Sequence, residues 1–357
     1  MNKVFFGDCR DTMRDLIAQG MKVQMCVTSP PYFGLRDYGH AGQLGLEATP
    51  AEYVAAMVEV FALVRDLLAD DGTLWLNIGD SYASNAGGYS DTGSRGTSSC
   101  PSIGAGTMAA VVKGHLRKPP AGLKAKDLIG IPWMLAFALR ADGWYLRQDI
   151  IWAKPNPMPE SVRDRCTKSH EYMFLLSKSE RYYWDAEAMR EPAAPSSIER
   201  WAQNIEDQTG SDRVPGKTNG KMKAVGGPRS KRDSFKRKDS KRAEAIPRQT
   251  VGTHRPDREE SEWNTATRNR RSVWTVPTVP YIGAHFATFP PALIEPCILS
   301  GSRVRDIVID PFFGSGTTGQ VAQELGRGWI GCELNPDYAP LQNDRIRQGV
   351  LILEDAS

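Results

Sequence analysis

A hydroxyl, two rigid prolines and a phenol follow one another at Ser29-Pro30-Pro31-Tyr32, directly after the apolar run Val23–Val27. An exocyclic amine on a nucleobase is a poor nucleophile, because its lone pair is delocalised into the ring. A site that activates one needs hydrogen-bond acceptors fixed in advance where positive charge develops. The Ser29 hydroxyl and the Pro30 carbonyl are such acceptors, and consecutive prolines stiffen the turn that carries them. Pro31 shapes that turn, and Tyr32 offers a flat face to a base swung out of a duplex. A proline turn that merely ends a strand, with Tyr32 in the core, would look the same locally.

A second constellation lies near the other end. The apolar run Val304–Ile309 leads into Asp310-Pro311-Phe312-Phe313-Gly314-Ser315-Gly316-Thr317-Thr318-Gly319, a G-x-G-x-x-G between a strand-like and a helix-like segment. Glycines let backbone approach a ligand closely, and the amides of a helix start attract negative charge. Glu333 ends the next apolar run, 19 residues after Gly314, where a ribose-hydroxyl acceptor is expected. No lysine follows the glycines, which excludes a phosphate-gripping P-loop. A dinucleotide and S-adenosylmethionine both present a ribose diol, and the loop alone does not separate them. The amine pocket favours the second.

Both constellations need strands to hold them. Val4–Phe6, Val23–Val27, Thr73–Ile78, Trp144–Trp152, Glu171–Ser177, Val304–Ile309 and Trp329–Cys332 read as strands, with Asp71-Gly72 as a turn. Apolar residues at helical spacing predict a helix over 50–69, capped by Thr49 with Pro50 and Glu52 in its first turn. Further helices are expected over 131–140, from Phe289 onward and after Gly319. Alternating strands and helices imply a mostly parallel α/β sheet. Residues 81–107, rich in Gly and Ser, read as an active-site flap or a loop disordered without ligand.

From about Glu191 to Arg271 the apolar periodicity stops. Between Ser211 and Ser272 stand 18 Lys/Arg against 8 Asp/Glu, a local +10 in a chain of net +3. One basic segment on a mildly acidic body suggests a polyanionic partner meeting one region, or else a solvated insert. The expected organisation is 1–190, an insert at 191–271, and 272–357. The six cysteines form no C-x-x-C pair, so neither a metal site nor a disulfide framework is indicated, and a reducing cytoplasm is expected. No apolar run approaches a bilayer span, and no charged-then-apolar leader precedes Val4.

With these motifs the chain resembles the amino-methylating DNA methyltransferases, which modify cytosine N4 or adenine N6. Val27-Thr28-Ser29-Pro30-Pro31-Tyr32 is similar to that family's catalytic motif, and Asp310–Thr318 to its cofactor motif. Gly7-Asp8, His285-Phe286-Ala287-Thr288-Phe289-Pro290 and Glu333-Leu334-Asn335-Pro336-Asp337-Tyr338 are similar to further family elements. The resemblance covers about residues 1–190 and 272–345. It implies a Rossmann-like S-adenosylmethionine-dependent fold with helices on both faces of the sheet. Catalytic motif first, basic segment next and cofactor motif last is the family's beta arrangement, a circular permutation of its other orders.

The resemblance implies roles residue by residue. Ser29, Pro30 and Tyr32 would hold and activate the target amine. Asp310, Phe312, Gly314, Ser315, Gly316, Thr317 and Thr318 would line the cofactor. Glu333, with Asn335 beside it, would bind the ribose, and Asp8 the adenosine end. His285 and Phe286 are weaker candidates for the same pocket. The insert would contact double-stranded DNA, with Lys231, Arg232, Lys236, Arg237, Lys238, Lys241 and Arg242 as its basic residues. Serine at position 29 goes with cytosine N4 more often than adenine N6, and the rule leaks both ways. A homodimer and a separate cognate restriction endonuclease are possible partners.

Rival readings are a DNA-binding protein on a degenerate methylase scaffold and an RNA or protein methyltransferase. Methylation at carbon-5 would need a cysteine thiolate, and Pro296-Cys297 has the dipeptide of such enzymes. It lies inside the apolar segment Leu293–Leu299, before the cofactor strand rather than after it. A buried, inert cysteine is the expectation there.

Overall fold

Val23–Thr28 is apolar except at Gln24 and Thr28, and it is buried throughout, as a central strand covered on both faces must be. The computed structural model describes residues 1–35, 39–40, 42–83, 119, 122–202, 266–279 and 289–354. Chain order begins β1 (Asn2–Phe6), α1 (Cys9–Ala18), β2 (Val23–Thr28), α2 (Pro50–Leu67), β3 (Leu68–Ile78), α3 (Ile131–Ala141), β4 (Tyr145–Ala153) and β5 (His170–Ser177). A second compact unit, Arg190–Arg270, holds β6 (Arg190–Pro192), α4 (Pro195–Ala202) and β7 (Thr267–Asn269). The first unit resumes with β8 (Val273–Thr275), α5 (Pro291–Gly301), β9 (Ile307–Asp310), α6 (Thr317–Glu324), β10 (Gly328–Glu333) and α7 (Ala339–Glu354).

Among the described residues, eight strands form one sheet in the order β1-β10-β9-β2-β3-β5-β4-β8. Only β5 runs against its neighbours there; every other pairing in the sheet is parallel. From β2 the chain steps to β3 on one side, and from β9 to β10 on the other. The direction of winding therefore reverses between β2 and β9. Open α/β sheets place their ligands at the carboxyl ends of strands at such a point.

Alternation along the strands builds two cores. Cys26, Leu74 and Leu76 face a cluster with Met13, Tyr53, Phe61 and Leu135 from α1, α2 and α3. Met25, Val27 and Trp75 face the opposite cluster, with Leu293, Ile298, Val321 and Trp329. The Thr49 hydroxyl accepts from the Glu52 amide at 3.2 Å, and Glu52 accepts from the Thr49 amide at 3.2 Å, closing a capping box on α2.

Several local expectations change. α1 was not read from the sequence; its first-turn amide at Arg10 is capped by the Asp8 carboxylate at 2.8 Å. Asp71-Gly72 is not a turn ahead of the strand. β3 runs through it from Leu68, and the pairing with β2 shifts register between Val23 and Met25, so the turn residues bulge out of a continuous strand. β9 starts at Ile307 instead of Val304, because Val304 is exposed and Arg305 adopts a left-handed backbone.

Among the described residues, the second unit holds the β6–β7 antiparallel pair and α4, with Arg268 Nε donating to Glu191 Oε1 at 2.8 Å. The flap at 81–107 lies outside the described residues apart from Ser81–Ala83, as do Lys231, Arg232, Lys236, Arg237, Lys238, Lys241 and Arg242. No helix among the described residues is long and apolar enough to cross a membrane.

Candidate active site

Thr28 ends β2 and Asp310 ends β9, on adjacent strands at the switch point. The two following turns face one cavity of about 1190 Å³ including its open mouth. Ser29, Pro30, Pro31 and Tyr32 line one part of it, and Asp310, Phe312, Gly314, Ser315 and Thr317 line another. Asp8, Glu333 and Asn335 line it too, with Leu334 and Tyr338, which were not assigned a role from the sequence. Residues remote in the chain thus share one cleft.

The glycine turn is built by backbone geometry. Gly314 (φ 52°) and Gly316 (φ 87°) both sit in the left-handed region, and Gly316 immediately precedes the first residue of α6. The Glu333 carboxylate receives the Gly314 amide at 2.7 Å and the Asn335 amide at 2.8 Å, one on each oxygen. Each oxygen keeps acceptor capacity for a ligand hydroxyl. Burial pushes Glu333 up to about 7, against the opposing pull of the two amides. Arg345 of α7 donates to the Ser315 hydroxyl at 2.6 Å and also to the Thr317 hydroxyl.

Two sequence-assigned residues do not line the cavity. Gly316 is turned away at the start of α6, and the Thr318 hydroxyl points into the core, donating to Asp310 Oδ2 at 2.7 Å. Asp310 borders the cavity, but its carboxylate is taken up by Thr28, Thr318 and the Phe312 amide; it acts as a brace. Burial raises Asp310 to about 6. The Asp8 carboxylate is held by the Arg10 guanidinium, as close as 2.6 Å at Nη2, which keeps it below the ordinary aspartate range. His285 and Phe286 lie outside the described residues; Phe289, three residues on, lines the cavity.

The proline turn is anchored from beneath. The Tyr53 hydroxyl of α2 donates to the Pro31 carbonyl at 2.8 Å. The Tyr32 hydroxyl donates to Glu171 Oε2 at 2.7 Å, and the Ser29 side chain stands beside the same phenol. Burial, with the negative charge of Glu171 adding to it, holds that phenol well above its ordinary range. The sequence had not singled out Tyr53, Asn77, Lys154 or Glu171. A lone acidic residue at the head of the apolar strand β5 was the available signal.

The cavity also contains Cys9 and Cys332. Burial pushes the Cys9 thiol up to about 12 and Cys332 well above its ordinary value, so neither is a thiolate near neutral pH. Cys297 is fully buried in α5 and does not line the cavity. No group of three or more His, Cys, Asp or Glu among the described residues is arranged to hold a metal ion.

Residues 23–344 match the family model for DNA methylases of the N6/N4 type. The chain belongs to this family. It is 41% identical over 345 residues to the Type II methyltransferase M.SmaI of Serratia marcescens, covering 96% of this chain and 90% of that protein. It is 40% identical over 344 residues to the Type II methyltransferase M.Cfr9I of Citrobacter freundii, covering 96% and 87%. Two solved structures share the fold of this methylase. PvuII DNA methyltransferase (cytosine-N4-specific) superimposes with a TM-score of 0.52 at 16% identity, over 96% of this chain and 86% of that one. The DNA modification methylase TTHA0409 of Thermus thermophilus, complexed with S-adenosyl-L-methionine, does so with 0.51 at 19%, over 98% and 95%.

Proposed function

We propose that this methylase transfers a methyl group from S-adenosylmethionine to the exocyclic amine of a base in duplex DNA, and that the base is cytosine, modified at N4. The observation that carries the reading is the shared cavity, in which the Ser29 turn faces the glycine turn. The donor set suits the cofactor: Phe312, Pro311 and Leu334 are apolar walls for a flat base, and Glu333 is an acceptor for a vicinal diol. When bound, S-adenosylmethionine supplies an electrophilic methyl group on a sulfonium.

This chain's residues would do the rest. Ser29 Oγ and the Pro30 carbonyl accept the amine hydrogens and draw the nitrogen towards tetrahedral geometry, freeing its lone pair for in-line attack. Tyr32 stacks on the extruded base. The target-amine proton passes to solvent after transfer. Serine at position 29 is a neutral acceptor that fits either amine, and the choice of cytosine rests on the family resemblance, in which serine goes with cytosine N4 more often than with adenine N6. The basic residues Lys231 to Arg242 would supply salt-dependent phosphate contacts.

Methylation-aware sequencing of DNA from cells expressing the chain tests the proposal. N4-methylcytosine at one recurrent sequence is expected. N6-methyladenine would overturn the choice of base, and a mark on carbon-5 alone would overturn the mechanism.

A further inference from the structure

Tyr32 is gripped at its ring and at its hydroxyl. A Cβ added at Gly79 would lie 2.7 Å from Tyr32 Cε2, so the ring is pressed flush against backbone at the end of β3. The phenol donates to Glu171, which does not line the cavity. Glu171 in turn accepts from Asn77 Nδ2 at 3.2 Å and is paired through its other oxygen with Lys154 Nζ. Lys154 lies 4.2 Å from the centre of the Trp152 ring. The side chains of the pair are only 17% and 16% exposed. A largely desolvated ion pair is a weak source of stability but a strong constraint on geometry. Among the described residues, the phenol of Tyr32 is what links this pair to the cavity.

We infer that Glu171, aimed by Lys154 and Asn77, is a positioning residue that fixes the angle of the Tyr32 ring for the extruded base. This deepens the reading of Tyr32 given above and rests on it. The ring face is the working surface and the hydroxyl is its tether. Losing the tether lets the ring rotate, so the amine meets Ser29 and the methyl donor less often.

The test uses the full chain, purified, with duplex DNA. Tyr32→Phe, Glu171→Ala, their double variant, Glu171→Gln and Tyr32→Ala are compared in single-turnover methyl transfer, with S-adenosylmethionine binding measured by calorimetry. Tyr32→Phe and Glu171→Ala should each slow transfer by a similar factor, roughly 10- to 100-fold, with cofactor affinity kept. The double variant should be no slower than the slower of the two single variants, because both cut the phenol–Glu171 bond and Tyr32→Phe also loses the phenol's contacts to Asn77 and Ser29. Glu171→Gln, which still offers an oxygen to the phenol, should recover most of the rate.

Multiplying losses in the double variant, or a wild-type rate for Tyr32→Phe, would overturn the inference. If Glu171→Ala loses cofactor binding through misfolding, Tyr32→Phe and Glu171→Gln still decide it. Tyr32→Ala separates the two levels of argument. If it transfers at the wild-type rate, the reading of the cleft fails. If it is slow while Tyr32→Phe is fast, only the tether fails.

Discussion

Thr28 Oγ1 donates to Asp310 Oδ1 at 2.6 Å across 282 residues of sequence. Each residue ends its strand, and each immediately precedes a turn that faces the cavity. Asp310 also accepts from Thr318 and from the Phe312 amide, so one buried carboxylate ties the proline turn, the glycine turn and α6 together. Three donors offset its desolvation only in part, since burial still raises it to about 6.

Replacing that carboxylate should be costly in one form and mild in the other. Asp310→Ala orphans three buried donors and should destabilise the chain by roughly 3 kcal/mol or more. Asp310→Asn keeps an oxygen for Thr28 and Phe312 and offers its amide to Thr318, so it should fold. Urea denaturation of the two variants beside the wild type measures both effects.

The same group makes stability depend on pH. Asp310 and Glu333 rise from ordinary values of 3.8 and 4.5 to about 6 and about 7 in the folded state. Between about pH 4 and 7 the folded chain therefore keeps protons that the unfolded chain has released. Their contribution is complete below pH 4 and is lost as pH rises through 6 and 7, by on the order of a few kcal/mol. Denaturation midpoints at pH 5, 6, 7 and 8 should fall in the wild type and fall less steeply in Asp310→Asn. Equal slopes would show that Asp310 is not the group responsible.

Ser29→Ala removes the neutral acceptor and leaves the Thr28–Asp310 bond and the glycine turn in place. Transfer of a tritiated methyl to duplex DNA should fall about 100-fold or more, with S-adenosylmethionine binding retained. A wild-type rate would remove Ser29 from the reaction.

Gly79→Ala places a methyl 2.7 Å from the Tyr32 ring and 3.3 Å from Glu171 Cγ. Gly79 is not in the left-handed region, so the cost comes from the collision and not from the backbone. Transfer should drop by about 10-fold or more, with a loss of stability of about 1–3 kcal/mol. Single-turnover kinetics and thermal melting report the two separately.

Cys297→Ser should be silent. The thiol is fully buried and donates to the Leu293 carbonyl one turn back in α5, a bond a serine hydroxyl also makes. Activity within about twofold of wild type is expected for a core change remote from the cavity. Abolished transfer would reopen the carbon-5 route.

The sequence made the strands and both turns legible because burial writes itself into composition. Val23–Val27 and Trp329–Cys332 are unbroken or nearly unbroken apolar runs, and Thr49-Pro50-x-Glu52 is a complete helix start. It under-read α1, whose start signal at Asp8 had been given to ligand binding when the same carboxylate caps the helix and holds Arg10. Membership of the cavity followed from the motifs for Ser29, Tyr32, Gly314 and Glu333. It did not follow for Gly316 and Thr318, because a contiguous motif turns through space and shows only some of its residues to the ligand. Tyr53, Lys154 and Glu171 were invisible for another reason. They reach the site through partners that only the assembled sheet brings near.

The sheet has one edge whose pairing joins segments remote in sequence: β1 bonds along β10, and the Trp329 amide reaches the Met1 carbonyl at 2.9 Å. During synthesis β1 must wait for β10 before that edge can pair. Until β9 emerges, β2 is paired only with β3 and the cleft has only one wall. A chain that lacks β9 and β10 therefore exposes an unfinished sheet edge and carries only the proline-turn side of the cleft.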